Sequence, residues 1–316
     1  MKRQITCCLG FLFMLSIVLV AASCSTTETI PTPTPTSTPA TPYVKEEFPL
    51  CTNSLEQNYP SISGDIVVWS EQNKSDEWQS DAYYIGKAYY LNLSIGVTLP
   101  ITTNSAIQCM PVVSGDIIVW LDNRNGSWQN GIWDIYGYNI TTDTEFPICV
   151  DSASQRHPAI SGDIVVWEDG RNRNGNYNSD IYGYNITTDT EFIICNDSAA
   201  QRNPAIYGNI VVWEDYRNGQ GDIYALDLAT SNETAICTYE DDQLNPAIDG
   251  DIIVWTDCRK EIYEDNDIYG YNLSSGIEFP VCTDSYCQSS PAISGNIVVW
   301  KENCNNYWYA TDIYGC

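Results

Sequence analysis

The chain is 316 residues long and carries 41 Asp and Glu against 14 Lys and Arg, a formal net charge of −27. Only Lys2, Arg3 and Glu28 are charged ahead of residue 44, so the acidity belongs to the chain from 44 onward; it excludes nucleic acid and other polyanions as expected partners. With one histidine and no G-x-S-x-G, H-E-x-x-H or phosphate-binding loop, the chain assigns no residue to catalysis.

The N-terminus reads first as an export signal. Lys2 and Arg3 give it a charged start, Ile5 to Val20 is an apolar run, and Ala21-Ala22-Ser23-Cys24 closes it. That order is expected of a lipoprotein-type signal peptide over 1–24 with Cys24 as the lipidation site; the competing reading is an uncleaved anchor. Both leave an exported domain at the cell surface that meets the membrane only through its N-terminus. Residues 25–43 are a Pro/Thr-rich spacer, a composition that favours extended chain over a packed core.

From 44 to 316 one pattern is written six times, opening at Pro60–Trp69, Pro111–Trp120, Pro158–Trp167, Pro204–Trp213, Pro246–Trp255 and Pro291–Trp300. The opening prolines recur 51, 47, 46, 42 and 45 residues apart, the spacing of propeller blades. Within a copy, P-A-I-S predicts a short strand A and I-V-V-W a strand B that is apolar on both faces. D-I-Y-G-Y-N predicts strand C, and E-F-P-I-C an edge strand D whose proline a central strand would not accept. Hairpin residues stand between A and B (Ser/Asp-Gly) and between C and D (T-T-D or S-S-G). The last copy stops at Cys316 without its fourth segment, and that segment stands instead at Glu47-Phe48-Pro49-Leu50-Cys51, ahead of copy one. The expected fold is all-β: a six-bladed β-propeller of four-stranded blades, closed by an N-terminal strand that completes the last blade. The blades fall at about 60–103, 111–150, 158–196, 204–238, 246–283, and 291–316 plus 46–52.

The thirteen cysteines divide by register. Cys51, Cys149, Cys195, Cys237 and Cys282 each stand nine residues before a repeat proline, and equivalent positions in neighbouring blades are too far apart to bridge. They are expected as buried thiols. Cys109, Cys258, Cys287, Cys304 and Cys316 are off register, and Cys304–Cys316 is the disulfide candidate.

Two sets of residues are candidates for ligand contact, both on the face that carries the D–A and B–C connections. Gln57, Gln108, Gln155, Gln201, Gln243 and Gln288 each stand three residues before a repeat proline. They read either as a ring of amides at the channel mouth or as caps for backbone groups between blades. The B–C connections break the symmetry and hold aromatics among amides and carboxylates: Trp78, Trp128, Trp133, Tyr177 and Trp308. Asp122/Arg124, Asp169/Arg171, Asp215/Arg217 and Asp257/Arg259 are expected to be turn-stabilising ion pairs. Glu264-Asp265-Asn266-Asp267 is an incomplete Ca²⁺ loop, so no cofactor is assigned and calcium is only a weak signal. His157 shares its repeat position with Tyr59, Met110, Asn203, Asn245 and Ser290, and reads as drift at a variable site. Five Asn-x-Ser/Thr sequons (Asn92, Asn139, Asn185, Asn232, Asn272) fall at the C–D turn and read as turn sequence.

The run W-E-D-x-R-N-G followed by D-I-Y-x-Y-N-L resembles the TolB-type propeller repeat, in particular that of multi-repeat surface proteins of methanogenic archaea. It is carried by Trp167-Glu168-Asp169, Arg171 and Asp180-Ile181-Tyr182, by Trp213-Glu214-Asp215, Arg217 and Asp222-Ile223-Tyr224, and by Trp120, Asp122, Arg124 and Asp134-Ile135-Tyr136. Blade one departs from it with Lys87 in place of the strand-C Asp, and blades one and six lack the Asp-x-Arg. The resemblance implies a six-bladed recognition scaffold and no single activity. The expected function is a monomeric binding module for an extracellular glycan or surface protein. The alternatives are a channel-based carbohydrate lyase or hydrolase, or a purely structural envelope protein.

Overall fold

The computed structural model describes residues 49–72, 86–126, 132–172, 178–259, 266–303 and 312–316. The signal, the spacer and Cys24 lie outside them. Among the described residues there are 23 strands and no helix.

Blade one is β1 (Glu56–Ser63), β2 (Ile66–Gln72), β3 (Gly86–Asn92) and β4 (Val97–Pro100). Blade two is β5 (Gln108–Ser114), β6 (Ile117–Asp122), β7 (Asp134–Asn139) and β8 (Thr144–Cys149). Blade three is β9 (Gln155–Ser161), β10 (Ile164–Asp169), β11 (Asp180–Asn185) and β12 (Thr190–Cys195). Blade four is β13 (Gln201–Tyr207), β14 (Ile210–Asp215), β15 (Asp222–Asp227) and β16 (Asn232–Cys237). Blade five is β17 (Gln243–Asp249), β18 (Ile252–Asp257), β19 (Asp267–Asn272) and β20 (Ile277–Cys282). Blade six is β21 (Cys287–Ser294), β22 (Ile297–Asn303) and β23 (Asp312–Gly315). Each sheet is an antiparallel meander in chain order, so the all-β six-bladed propeller expected from the repeats is the fold.

The I-V-V-W run is apolar throughout because alternate residues serve two seams. Val165 and Trp167 join Val119, Leu121, Ile135, Ile148 and Cys149 of blade two, while Val166 joins Ile206, Val211 and Trp213 of blade four. Blades two to five are thus glued to both neighbours by burial on both faces. The A–B hairpins turn on glycines with φ between 53° and 57°, from Gly64 to Gly295, as the first central residue of a two-residue turn requires.

The Asp-x-Arg pairs are structural clamps, as expected. Buried Asp169 accepts from Trp167 Nε1 (2.8 Å) and from the Arg171 backbone N–H (2.8 Å), and pairs with Arg171 Nη2 (2.8 Å). The guanidinium lies over the Tyr182 ring at 4.2 Å and reaches Glu191 on strand D at 2.6 Å. One motif therefore ties strands B, C and D together, and blades two, four and five repeat it. Blades one and six put Glu71 and Glu302 under the tryptophan instead, where Trp69 Nε1 donates at 3.1 Å and Trp300 Nε1 at 3.4 Å.

Those two blades stand on either side of the closing seam of the ring, and among the described residues no hydrophobic cluster joins one to the other. Among the described residues the sixth sheet has three strands; Glu47 and Phe48 of the expected fourth lie outside them, and Pro49–Cys51 are not in a strand. The described part of the N-terminal segment packs against blade one. Leu50 and Cys51 pack on Val67 and Trp69, and Cys51 Sγ is 3.2 Å from Glu71 Oε1, much as Cys149 Sγ lies 3.9 Å from Asp169 Oδ2 at the seam of blades two and three. Among the described residues, blade six's own face toward this seam is bare: Ile313 is 66% exposed, whereas Ile135, Ile181, Ile223 and Ile268 are 0%.

The in-register thiols Cys149, Cys195, Cys237 and Cys282 are buried and unpaired, and burial pushes Cys195 and Cys237 up to about 12. Cys316 is exposed, and its expected disulfide partner Cys304 lies outside the described residues. Four of the C–D sequon asparagines, Asn92, Asn139, Asn185 and Asn272, work as turn caps: Asn139 Oδ1 accepts the Thr142 N–H at 3.0 Å, and Asn185 Oδ1 the Thr188 N–H at 2.9 Å, while in blade four Asp227 takes that role.

Candidate functional site at the channel mouth

The residue before each repeat proline has a left-handed backbone: Tyr59, Met110, His157, Asn203, Asn245 and Ser290, with φ from 48° to 53°. Of these residue types only asparagine and histidine are enriched in that region, so its recurrence six times, at tyrosine, methionine and serine too, has a geometric cause. That cause is a β-bulge. In blade three Val166 pairs with Ala159 and Glu168 with Arg156, so His157 and Pro158 together oppose Trp167. Such a bulge re-aims a side chain. The bulge sits near the start of strand A, close to the end of strand B, and hence toward the face that carries the D–A and B–C connections.

The same backbone feature in six blades holds varied side chains, and in blades three to five these gather around a cavity of about 550 Å³. Blade three contributes Arg156, His157 and Glu168, blade four Arg202, Asn203, Glu214 and Tyr216, and blade five Leu244 and Asn245. Blade two is apolar at the corresponding places, with Cys109, Met110 and Leu121.

Glu168 and Glu214 follow the strand-B tryptophan in their blades and are 3% and 2% exposed. His157 Nδ1 lies 3.1 Å from Glu168 Oε2. Burial pushes the Glu168 carboxyl up, but the His157 hydrogen bond and charge, with Ser179 and Arg156, outweigh it and hold the group below the ordinary carboxylate range. Glu214 accepts from the Asn245 backbone N–H (2.6 Å), Asn203 Nδ2 (2.7 Å) and the Tyr216 hydroxyl (3.3 Å). There burial wins over these donors, and Glu214 is raised. Arg202 lies over the Tyr216 ring at 4.9 Å. Two neighbouring blades therefore present equivalent carboxylates whose surroundings drive them in opposite directions.

The residues expected to contact ligand are distributed differently. Gln108, Gln155, Gln201, Gln243 and Gln288 are fully buried, and Gln57 is half-buried. Each donates Nε2 to the carbonyl two residues back, at 2.9 Å for Gln155 to Ala153 and 2.8 Å for Gln201 to Ala199, so they brace the D–A connection. Trp133 is half-buried against the seam of blades two and three. Trp78, Trp128, Tyr177 and Trp308 lie outside the described residues, as do Glu264 and Asp265 of the Asp-rich loop. Among the described residues no group of three or more His, Cys, Asp and Glu is placed to hold a metal ion. His157 departs from the reading of drift: its position is variable, but the bulge beneath it is constant. The signal in the sequence is the coincidence of that variable position with Glu168 and Glu214, where other blades carry Ser70, Leu121, Thr256 and Lys301.

No protein-family model and no curated protein matches the chain. Solved structures do. TolB from Acinetobacter baumannii is 16% identical with a TM-score of 0.50, over 70% of this chain and 55% of its own, so this chain spans about half of that protein. The β-propeller domain of the Trilobed protease from Pyrococcus furiosus, which has an open velcro topology, is 13% identical with a TM-score of 0.58, over 83% of this chain and 81% of its own. Oligogalacturonate lyase in complex with manganese is 12% identical with a TM-score of 0.56, over 76% of this chain and 68% of its own. At these identities the likeness is one of fold. The chain is a six-bladed propeller with TolB-type propellers among its structural neighbours, and a protease domain and a lyase stand beside them.

Proposed function

We propose that this protein is a binding module, held at the cell surface through Cys24 and its spacer, that recognises an extracellular glycan or surface protein through its B–C/D–A face. The observation that carries the reading is the broken symmetry of the bulge ring. Six blades repeat one backbone, yet only blades three to five fill it with Arg156, His157, Arg202, Asn203 and Asn245 around an open cavity. Structural positions keep the repeat, as the buried glutamines do, and positions released from it are free to serve a ligand. The test is a binding screen of the full chain, purified in detergent, against polysaccharides and envelope extract. His157→Ala and Asn245→Ala variants, checked by thermal melts, are run in parallel. Binding that weakens at least tenfold in folded variants supports the reading; binding unchanged by both would put the contact elsewhere on the face.

A second reading, a channel-based carbohydrate lyase or hydrolase, is favoured by one observation: Glu214 is raised while Glu168 is lowered, the separation that acid–base pairs use. Turnover of any glycan hit, lost in Glu214→Gln with binding retained, would move the protein into that class.

A further inference from the structure

Buried acceptor oxygens gather at one seam of the ring. In blades two to six the glutamine before the repeat proline is 0% exposed, and its Oε1 has no hydrogen-bond partner among the described residues. Between blades four and five two carboxylates join that oxygen. Gly221, the residue before Asp222, accepts the Gln243 N–H at 2.6 Å and donates its own N–H to Asp242 Oδ1 at 2.8 Å. Residues 242 and 243 are thereby laced onto the start of β15. Asp222 is 0% exposed; Asn218 Nδ2 donates to its Oδ2 at 2.6 Å, while its Oδ1 has no partner among the described residues. Gln243 stands opposite Asp257 and shares with Trp255 the face turned to blade four. At the other seams between consecutive blades the position of Asp242 is Ile107, Ser154, Ala200 or Cys287. We propose that the seam of blades four and five binds a calcium ion, ligated by Asp222 Oδ1, Gln243 Oε1 and the Asp242 carboxylate. Asp242 is half-buried, so water reaches the ion from that side and completes its shell.

The donor set is oxygen alone, from carboxylates and an amide, which suits a hard cation rather than a transition metal. Calcium accepts an irregular shell of such oxygens, whereas magnesium demands a near-ideal octahedron. The seam also lacks positive charge of its own. Arg217, the guanidinium on this side, is held by Asp215 at 2.6 Å and Glu233 at 2.7 Å. Burial pushes the Asp222 carboxyl up, and the charges of Asp215 and Asp242 add to it against Asn218 and Arg217. A buried carboxylate in that position costs stability until a cation joins it.

Blade one meets the same need from within the chain. Lys87 takes the strand-C position of Asp222, standing opposite Glu71 as Asp222 stands opposite Asp215. Its Nζ donates to the Ala106 carbonyl at 2.9 Å, the acceptor that Gln108 Nε2 also uses, just as Gln243 Nε2 uses the Asp241 carbonyl. An ammonium therefore fills, between blades one and two, the corner that Asp222, Asp242 and Gln243 line between blades four and five. A Cβ built on Gly221 would meet Leu244 Cδ2 at 3.0 Å and Tyr216 Cζ at 3.3 Å, both lining the cavity of blades three to five. The ion thus braces one wall of that cavity.

The experiment is isothermal titration of the full chain, purified in detergent and stripped with EDTA, with calcium chloride and then with magnesium chloride. Asp222→Asn and Asp242→Asn variants follow, each checked by thermal melt. The proposal expects one calcium per chain, bound at least about tenfold tighter than magnesium, and a loss of at least about tenfold in either folded variant. Removing one charge from a net −27 leaves diffuse surface binding almost unchanged, so calcium binding that both variants keep overturns the site. Equal affinity for calcium and magnesium overturns it as well, and so does the absence of binding. Asp222→Lys copies blade one, so it should fold without calcium and no longer bind it; a folded lysine variant that still binds calcium overturns the proposal. If no variant folds, the stoichiometry and the calcium preference of the unaltered protein still decide.

Discussion

His157 Nδ1 lies 3.1 Å from Glu168 Oε2, linking strand A of blade three to strand B across the bulge that Pro158 completes. Blade four builds the same link with different residues, Asn203 Nδ2 to Glu214 Oε1 at 2.7 Å. The chain therefore contains its own control. His157→Ala leaves a buried carboxylate short of a donor, and the expected loss is about 1 kcal/mol, discounted because the His157 side chain is 41% exposed. His157→Asn should recover most of that loss in urea denaturation. Equal losses for Ala and Asn would show that the link carries no stability.

The two glutamates should respond oppositely to pH. Glu168 has a folded pKa below its ordinary 4.5, so its contribution is present above the unfolded value and is lost as pH falls through the folded one. Glu214 has a folded pKa above 4.5, so the native state binds the extra proton and stability falls as pH rises through the window above 4.5. Denaturation midpoints measured between about pH 3 and 7 check both signs, the Glu168 loss below 4.5 and the Glu214 loss above it. Glu214→Gln should flatten the loss on the rising side and leave neutral stability unchanged or higher. Glu168→Gln should lower neutral stability and flatten the loss on the acid side. The same sign for both variants would contradict the environments described.

The fold was legible because repetition supplies an alignment within one chain: six prolines, six glycine turns and six I-V-V-W-like runs fix strands and register without any other sequence. The clamps were legible for the same reason, since Asp-x-Arg recurs with fixed spacing to D-I-Y. The bulge was not. Tyr, Met, His, Asn, Asn and Ser share no propensity for a left-handed backbone, and a residue before proline is ordinarily expected in extended conformation. Without that bulge, His157 has no reason to face the channel. The glutamine ring misleads in the opposite way: its perfect recurrence marks the blade frame, which Gln155 and Gln201 show by donating to their own connections.

The blade clamp should be intolerant of change at its buried end. Asp169 is 0% exposed and holds the Trp167 indole, the Arg171 backbone N–H and the Arg171 guanidinium together. Asp169→Asn removes the charge that compensates Arg171 and should cost about 3 kcal/mol. Arg171→Lys keeps the charge but loses the fork and the face-on contact with Tyr182, and should cost about 1 kcal/mol. Chemical denaturation ranks the two, and a larger loss for the lysine variant would reverse the assignment of Asp169 as the organising residue.

Residue size on strand C runs opposite to that of its partner on strand D. Gly183 pairs with Phe192, and a Cβ built on Gly183 would meet the ring at 2.6 Å; Gly137 with Phe146 and Gly270 with Phe279 repeat this at 2.5 and 2.8 Å. Blade four places Ala225 opposite Thr234, and blade one places Tyr90 opposite Leu99, so a larger residue on strand C faces a smaller one on strand D. Gly183→Ala alone should overpack and cost about 1–3 kcal/mol. Phe192→Thr alone should lose the contact of a half-buried ring, about 1–2 kcal/mol. Together they recreate the pair that blade four already uses, and the double variant should recover at least about 1 kcal/mol relative to the sum of the two losses. A double-mutant cycle by urea denaturation measures that coupling. Simple additivity would mean that the glycine answers to backbone freedom rather than to the phenylalanine above it.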